Sequence, residues 1–584
     1  MTFISLFEKH LDDAVRSLKI ELPENFAIQV TISQDLRFGD YQANTAMVLA
    51  KRLKCNPRDL ATDIITALPL DGIAECDIAG PGFINFRLTN QAWSRKVSET
   101  LSDVRLGVEL TASPRNIIVD FSSPNIAKPM HVGHIRSTII GDSITRVAKF
   151  LGHQVISDNH IGDWGTQFGK VIYGWKNLLN DAALEADPLA ELLRLYKTVH
   201  ELTESDKDLE QQCRDELVKL QQGDEENLKI WEICIELSKQ GLQLIYNRLD
   251  VSFDHWLGES YYNDQLADTV DKLIKSGNAR ESEGAICIFS SGETPEKQDP
   301  FRVNRDGEWQ DLPMIVRKKD GGYNYATTDL ATVDYRVNEW SAEEILYVVD
   351  ARQSAHFKQL FDISKRNGVT AKMEHVSFGT INGKDGKPLK TREGDLPQLA
   401  DILNDAVTTA AEVLKEKSGH LPENEQKELA ETIGIGSVKF TELSHHRASD
   451  YIFDLEKMVA LQGDTAPYLQ YSYVRVKSIF QKLDSLPDFS TLDIQVTEEA
   501  EQHLIRMISR YGEVLPTVLE GYKPNALATY LIELARAFHS FFEACPVLKS
   551  EGATQQTRIA LCELTARVLQ HGLSLLGIKA PERM

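Results

Sequence analysis

Apolar residues along this chain fall into three patterns in succession. Near the start, Ile84, Phe86 and Leu88 alternate with polar neighbours, the period of a half-buried strand. Asn116 to Phe121 then form a short, nearly continuous apolar run, which suits a parallel strand buried on both faces. Pro124 and Pro129 keep the next segment out of helix. From Ile135 the pattern changes period: Ile139, Ile140, Ile144, Val147, Ala148 and Leu151 recur at helical spacing. Gly152 stops that helix, and Val155 and Ile156 open another strand. Strand, crossover helix, strand implies an α/β fold with a doubly wound, Rossmann-like parallel sheet, whose ligands bind at the carboxyl ends of the strands.

Outside that unit the pattern is simpler. Residues 1–112 predict a small α/β domain, with Ala43 to Lys54 helical and Thr111 to Pro114 as a linker. Residues 113–400 predict the sheet domain. A charge-rich helical insertion around 175–250 interrupts it, its charges most simply a solvated face. Residues 401–584 predict an all-helical bundle, most strongly periodic over 525–544 and 558–576.

Length and charge narrow the class. At 584 residues the chain is long enough for about three domains. No run of about 18 apolar residues exists, so no membrane span is expected, and the N-terminus lacks the features of an export signal. The 7 cysteines are scattered, with no CxxC pair, so neither a zinc site nor a disulfide framework is suggested. Reduced thiols and a cytoplasmic setting fit. The net charge of −23 argues against nucleic-acid binding as a bulk property; a local basic track would have to supply it.

The densest chemistry lies between strand and helix. His131-Val132-Gly133-His134 places two imidazoles and a glycine at the mouth of a helix, where backbone N–H groups and the helix dipole attract an anion such as a triphosphate. Composition alone gives this spacing about 0.02 times in such a chain. A metal pair or a packed histidine pair is the alternative. Further on, Tyr325 and Asp329 at i, i+4 share a helix face. Lys387-Pro388-Leu389-Lys390-Thr391 sits in a glycine-rich, charged stretch, either a mobile loop or a basic surface turn.

These segments resemble the class I aminoacyl-tRNA synthetases. SSPNIAKPMHVGHIRST and the GDWGTQFG run at 162–169 are similar to the arginyl-tRNA synthetase family, as are AGPGFINFRL (79–88), DTAPYLQYSYVR (464–475) and the terminal GIKAPERM. The resemblance implies ATP-dependent ligation of L-arginine to the 3′ end of tRNA(Arg) through an arginyl-adenylate. It further implies ATP and Mg²⁺, activation only once tRNA is bound, and a cytoplasmic monomer. It makes His131, Gly133 and His134 the ATP-binding signature and Lys387 and Lys390 a degenerate form of the mobile lysine loop. Lys390 is then the favoured catalytic cation, with Lys387 assisting and Lys128 as the other candidate. It places Asp120, Ser123, Asn125, Glu259, Tyr325, Asp329 and Gln353 around arginine, whose five N–H donors demand acceptors and negative charge. The N-terminal domain would meet the tRNA elbow through Phe83 and Asn85, by stacking and a base-edge hydrogen bond; packing within the sheet is an equal alternative for both. The helical bundle would bind the anticodon. Its signature tetrad reads Asn525-Ala526-Leu527-Ala528 and differs at both polar ends.

Overall fold

The computed structural model describes the whole chain except residues 1, 23–25, 34, 391–395, 416–420, 484, 486 and 490. Two compact units emerge: residues 112–460 with 576–578, and residues 1–111 with 461–575 and 579–584.

The larger unit is built on four parallel strands. They are β1 (Asn116–Phe121), β2 (Gln154–Asp158), β3 (Glu344–Val348) and β4 (Lys372–His375), in the order β4-β3-β1-β2. Helix α1 (Gly133–Phe150) crosses from β1 to β2. Helices α2 (Tyr325–Asn338) and α3 (Ser354–Arg366) precede and follow β3. In register, Ile118 faces Ile156 on one side and Ile345 on the other. Ile118, Ile345, Leu330, Val333 and Leu360 are among the residues of one buried core. β1 and β3 are neighbours, yet their chains run on to opposite edges of the sheet. The gap beyond their carboxyl ends is therefore the switch point where open α/β sheets bind ligands.

Glycine sets how closely α1 approaches the sheet. A β-carbon on Gly141 would lie 2.2 Å from Cγ of Phe121, inside van der Waals contact. Four long helices (Gln167–Leu178, Pro188–Ser205, Lys207–Gln221 and Glu225–Leu249) form the expected insertion after β2. An element absent from the sequence expectation follows: an antiparallel sheet of Ala279–Ser282, Ala285–Ile288 and Met314–Arg317. Its strands are four residues long, too short for alternation to register. The boundary expected at residue 400 falls inside this unit. Helices Leu399–Leu414 and Glu423–Ser444 belong to it, and buried Glu442 of the second pairs with Arg136 of α1.

The smaller unit joins the two ends of the chain. Residues 1–111 hold a four-stranded antiparallel sheet, with Phe83–Leu88 paired on both sides. Its core is aromatic: Phe7 stacks on Phe86 at 4.4 Å. Residues 461–584 supply helices, including Asn525–Ala544 and Gly552–Leu575. Arg506 of the helical part pairs with buried Asp40 of the sheet at 2.5 Å, and Arg567 donates to the carbonyls of Leu101 and Asp103. Phe538 and Phe541 are core residues. No helix among the described residues is long and apolar enough to cross a membrane. All seven cysteines are free, five of them buried.

Candidate active site

A cavity of about 670 Å³ opens at the switch point. Every expected arginine-site residue lines it, from Asp120, Ser123 and Asn125 to Glu259, Tyr325, Asp329 and Gln353, together with His131, Gly133 and His134. Segments spread over more than two hundred residues therefore converge on one space.

The histidine loop is locked by its own backbone. The N–H of His131 donates to Nδ1 of His134, and the N–H of Gly133 donates to Nδ1 of His131, both at 3.1 Å. Each ring has thus used Nδ1 as an acceptor, so a neutral ring carries its proton on Nε2. Burial lowers the pKa of both; for His134, with His131 adding to it, the fall is to about 3. The pair is therefore two uncharged N–H donors, 3.9 Å apart between ring centroids. A β-carbon on Gly133 would come within 2.9 Å of the His131 ring, so only glycine lets this ring fold back. Val132 donates to Pro397 and Leu399 to Met130, which ties the loop to the segment following the lysine stretch.

At the head of β1 the backbone is strained. Ser122 and Ser123 have φ of 71° and 46°, in the left-handed region that costs roughly 1–3 kcal/mol per residue. Hydrogen bonds hold them there. The N–H of Ser122 donates to Ser137 and that of Ser123 to Asn159, and the Ser123 hydroxyl donates to Oδ1 of Asp120 at 2.9 Å. Asp120 is further engaged by Arg336, a fully buried guanidinium that bridges Asp120 and Asp158 at 2.7 Å each. Burial by itself would lower the Arg336 pKa, but the two carboxylates outweigh it and hold the pKa above the ordinary arginine value.

The GDWG run works at one remove. Gly162 leaves room for Asn125, whose Oδ1 would lie 2.3 Å from an added β-carbon. Asp163 accepts from both the N–H and the hydroxyl of Ser260, at 2.8 and 2.7 Å. That capture, with the bond from Glu259 N–H to the Ile161 carbonyl, presents Glu259 to the cavity. Burial raises the Glu259 pKa, and nearby Asp329 adds to the rise. A cation there would relieve two crowded acids at once. Tyr325 and Asp329 share a face of α2 as the spacing requires, and Oδ2 of Asp329 is bonded to Nε2 of His356 at 2.5 Å.

The three lysines are outside this space. Lys387 and Lys390 are exposed, and only Pro388 and Leu389 between them line the cavity. Thr391 lies outside the described residues. Lys128 rests its ammonium 4.1 Å from the Tyr196 ring centroid, although its charge still helps to keep His131 neutral. In the other unit, Phe83 is half-buried. Asn85 is 1% exposed, with its amide accepting from Gln42 and donating to Asp77. A base edge would have to displace one of these partners.

Among the residues in or beside the cavity wall to which the sequence assigned no role are Arg352, His160 and His356. Arg352 lines the cavity with its guanidinium bidentate on Asp350, at 2.9 and 2.8 Å. His160 lines it too, bonded to the Leu257 carbonyl. His356 braces Asp329. Arg352 and His356 flank Gln353 in DARQSAHF, a proximity that was the only available signal. Among the described residues, no group of three His, Cys, Asp or Glu side chains is arranged to hold a metal.

Comparison with known proteins gives the same reading. Residues 96–455 match the family described as tRNA synthetases class I (R), catalytic domain. Residues 5–88 match the arginyl tRNA synthetase N terminal domain, and residues 469–584 the DALR anticodon binding domain. The chain is 43% identical to an arginine–tRNA ligase of Crocosphaera subtropica, over 99% of each protein. A Pseudomonas fluorescens arginine–tRNA ligase is also 43% identical, over 96% of each. The crystal structure of arginyl-tRNA synthetase from Plasmodium falciparum superposes with a TM-score of 0.80 at 27% identity, covering 100% of this chain and 99% of that one. The chain belongs to the arginyl-tRNA synthetase family, class I.

Proposed function

We propose that this protein ligates L-arginine to the 3′-terminal adenosine of tRNA(Arg) in the cytoplasm, in two steps within the one cavity. The arginine carboxylate attacks the α-phosphorus of ATP in line, forming arginyl-adenylate and releasing pyrophosphate. A ribose hydroxyl of the tRNA end then attacks the activated carbonyl and AMP leaves. Chemistry of this kind needs positioning and charge stabilisation more than a protein nucleophile. Nε2–H of His131 and of His134 donate to phosphate oxygens as negative charge shifts onto them. Glu259 and Asp329 compensate the guanidinium, with Tyr325 and Gln353 as further polar partners. Ser123 and Asn125, in the lining of the same cavity, take the α-amino and carboxylate groups. Asp120, already paired with Arg336, shapes the wall through Ser123. Mg²⁺ enters with ATP as part of the substrate, its oxygen ligands coming from the phosphates. Lys390 and Lys387, on the stretch beside the cavity, close on pyrophosphate when that stretch moves. The smaller unit receives the tRNA body: Phe83 offers a ring at the elbow, Asn85 an amide if it trades a partner, and the C-terminal helices meet the anticodon.

One observation carries this reading. Two acids suited to a guanidinium and two neutral imidazole donors suited to a triphosphate line the same cavity. Aminoacylation of total tRNA with each of the radiolabelled amino acids in turn tests it. Arginine alone should be charged, and only with ATP present. Charging with another amino acid, or none, would overturn it. Asp329→Ala should then raise the KM for arginine about 10- to 100-fold, the worth of a hydrogen bond to a charged group, and leave the KM for ATP nearly unchanged.

A further inference from the structure

His356 stands in the first turn of α3 and Asp329 in the second turn of α2. The bond between them is recessed: the histidine side chain is 12% exposed and the carboxylate 23%. Tyr325 packs edge-on to the imidazole with centroids 4.9 Å apart, and Phe357 packs on it at 5.4 Å. An imidazole in contact with two aromatic rings and bonded to a carboxylate is restrained, and it restrains that carboxylate in turn. We infer that His356 is a positioning residue that fixes Asp329 at one depth in the cavity and so makes the site selective for the length and shape of the substrate cation. The inference rests on Asp329 receiving the guanidinium.

The physical reason lies in the two cations. Guanidinium is a planar fork whose several N–H groups reach a fixed acceptor from a long stem. A lysine ammonium is a compact charge that ends short of that depth, and binds well only if the acceptor comes forward to meet it. A carboxylate tethered through Oδ2 cannot come forward. Oδ1 faces one guanidinium N–H, and the neighbouring acid Glu259, which also accepts from the backbone of Trp164, has a lone pair for another.

Amino-acid-dependent ATP–pyrophosphate exchange, run with tRNA present, tests this. Arginine, lysine and canavanine are compared on the wild type and on His356→Ala, His356→Gln and His356→Phe. The alanine and phenylalanine variants should raise the KM for arginine at least tenfold without moving the KM for ATP. They should also narrow the preference for arginine over lysine about tenfold. Glutamine, whose amide keeps an N–H within reach, should restore most of both. Phenylalanine fills the aromatic slot without donating, and so carries the test if the alanine variant misfolds. Equal loss of kcat/KM for arginine and lysine, or no rescue by glutamine, would overturn the inference. Asp329→Ala measured beside them separates the two readings. No change in arginine KM there refutes the role of Asp329 itself; a change there, with none in the histidine variants, refutes only the positioning role.

Discussion

Arg336 holds Asp120 at 2.7 Å beneath the cavity, and the same Nη2 holds Asp158. The carboxylate at the end of β1 is thus committed to the protein before any ligand arrives. Removing one member of a buried ion pair typically costs about 3–5 kcal/mol, because the partner charge is left uncompensated. Arg336→Met strands two carboxylates and Asp120→Asn strands none, since Arg336 keeps Asp158. Urea unfolding followed by circular dichroism should show a loss of about 3–5 kcal/mol for Arg336→Met and a clearly smaller one for Asp120→Asn. Similar losses for the two would refute the bridging role.

The histidine pair makes a prediction about acid. Burial, with His131 adding to it, pushes His134 down to about 3 in the folded chain from the usual histidine value of 6.5. Between those values the unfolded chain binds the proton that the folded chain refuses. The neutral ring's contribution to stability is therefore fully present above about pH 6.5 and declines as pH falls toward 3. Unfolding free energy measured from pH 7.5 down to 5 should fall, and His134→Gln should flatten the decline. Glutamine keeps a donor, so it should retain more activity than His134→Ala, for which a loss of about 10²–10³ in kcat is expected. A wild-type profile no steeper than the variant's would refute the assignment.

Arg352 is an exposed cation on the cavity wall, held among the described residues by Asp350. Phosphate oxygens present the same bidentate geometry as that carboxylate. Arg352→Ala should therefore raise the KM for ATP about 10-fold or more, the scale of a charged hydrogen bond, with the KM for arginine unchanged. Arg352→Lys should recover only part, since an ammonium lacks the fork. Initial rates with ATP and arginine varied separately would decide; a rise confined to arginine would count against it.

Gly141→Ala drives a methyl group into Phe121. Overpacking of this kind costs typically about 1–3 kcal/mol. Because Phe121 precedes Ser122 and Ser123, the strained corner should shift as well, raising the KM for ATP and arginine together. Differential scanning calorimetry and steady-state kinetics check the two halves separately.

What the chain betrays of itself follows a physical rule. The run from Asn116 to Phe121 and the helix after Gly133 are written in local periodicity, and the structure has both in place. The histidine loop was legible because its residues are sequence neighbours. Arg336 was not: its partners lie 216 and 178 residues away, and nothing in a helix pattern marks which arginine turns inward. The bond between Asp329 and His356 joins two helices across β3, and each residue alone reads as an ordinary polar position. The strands between Ala279 and Arg317 are four residues long, shorter than the window in which alternation can be told from chance. Tertiary pairing carries that information, and single-sequence patterns do not hold it.

The smaller unit is assembled from residues 1–111 and from the chain beyond 460, so its halves leave the ribosome far apart in time. At about 5–20 residues per second, the intervening stretch takes roughly 20–70 s to be made. Throughout that interval Asp40 has no Arg506 to meet, and the helix Asn90–Ser102 stands without the C-terminal helices that pack on it. Newborn chains of this protein therefore pass through a long stage with the outer side of that helix bare, and this side is where a holding chaperone would find its grip.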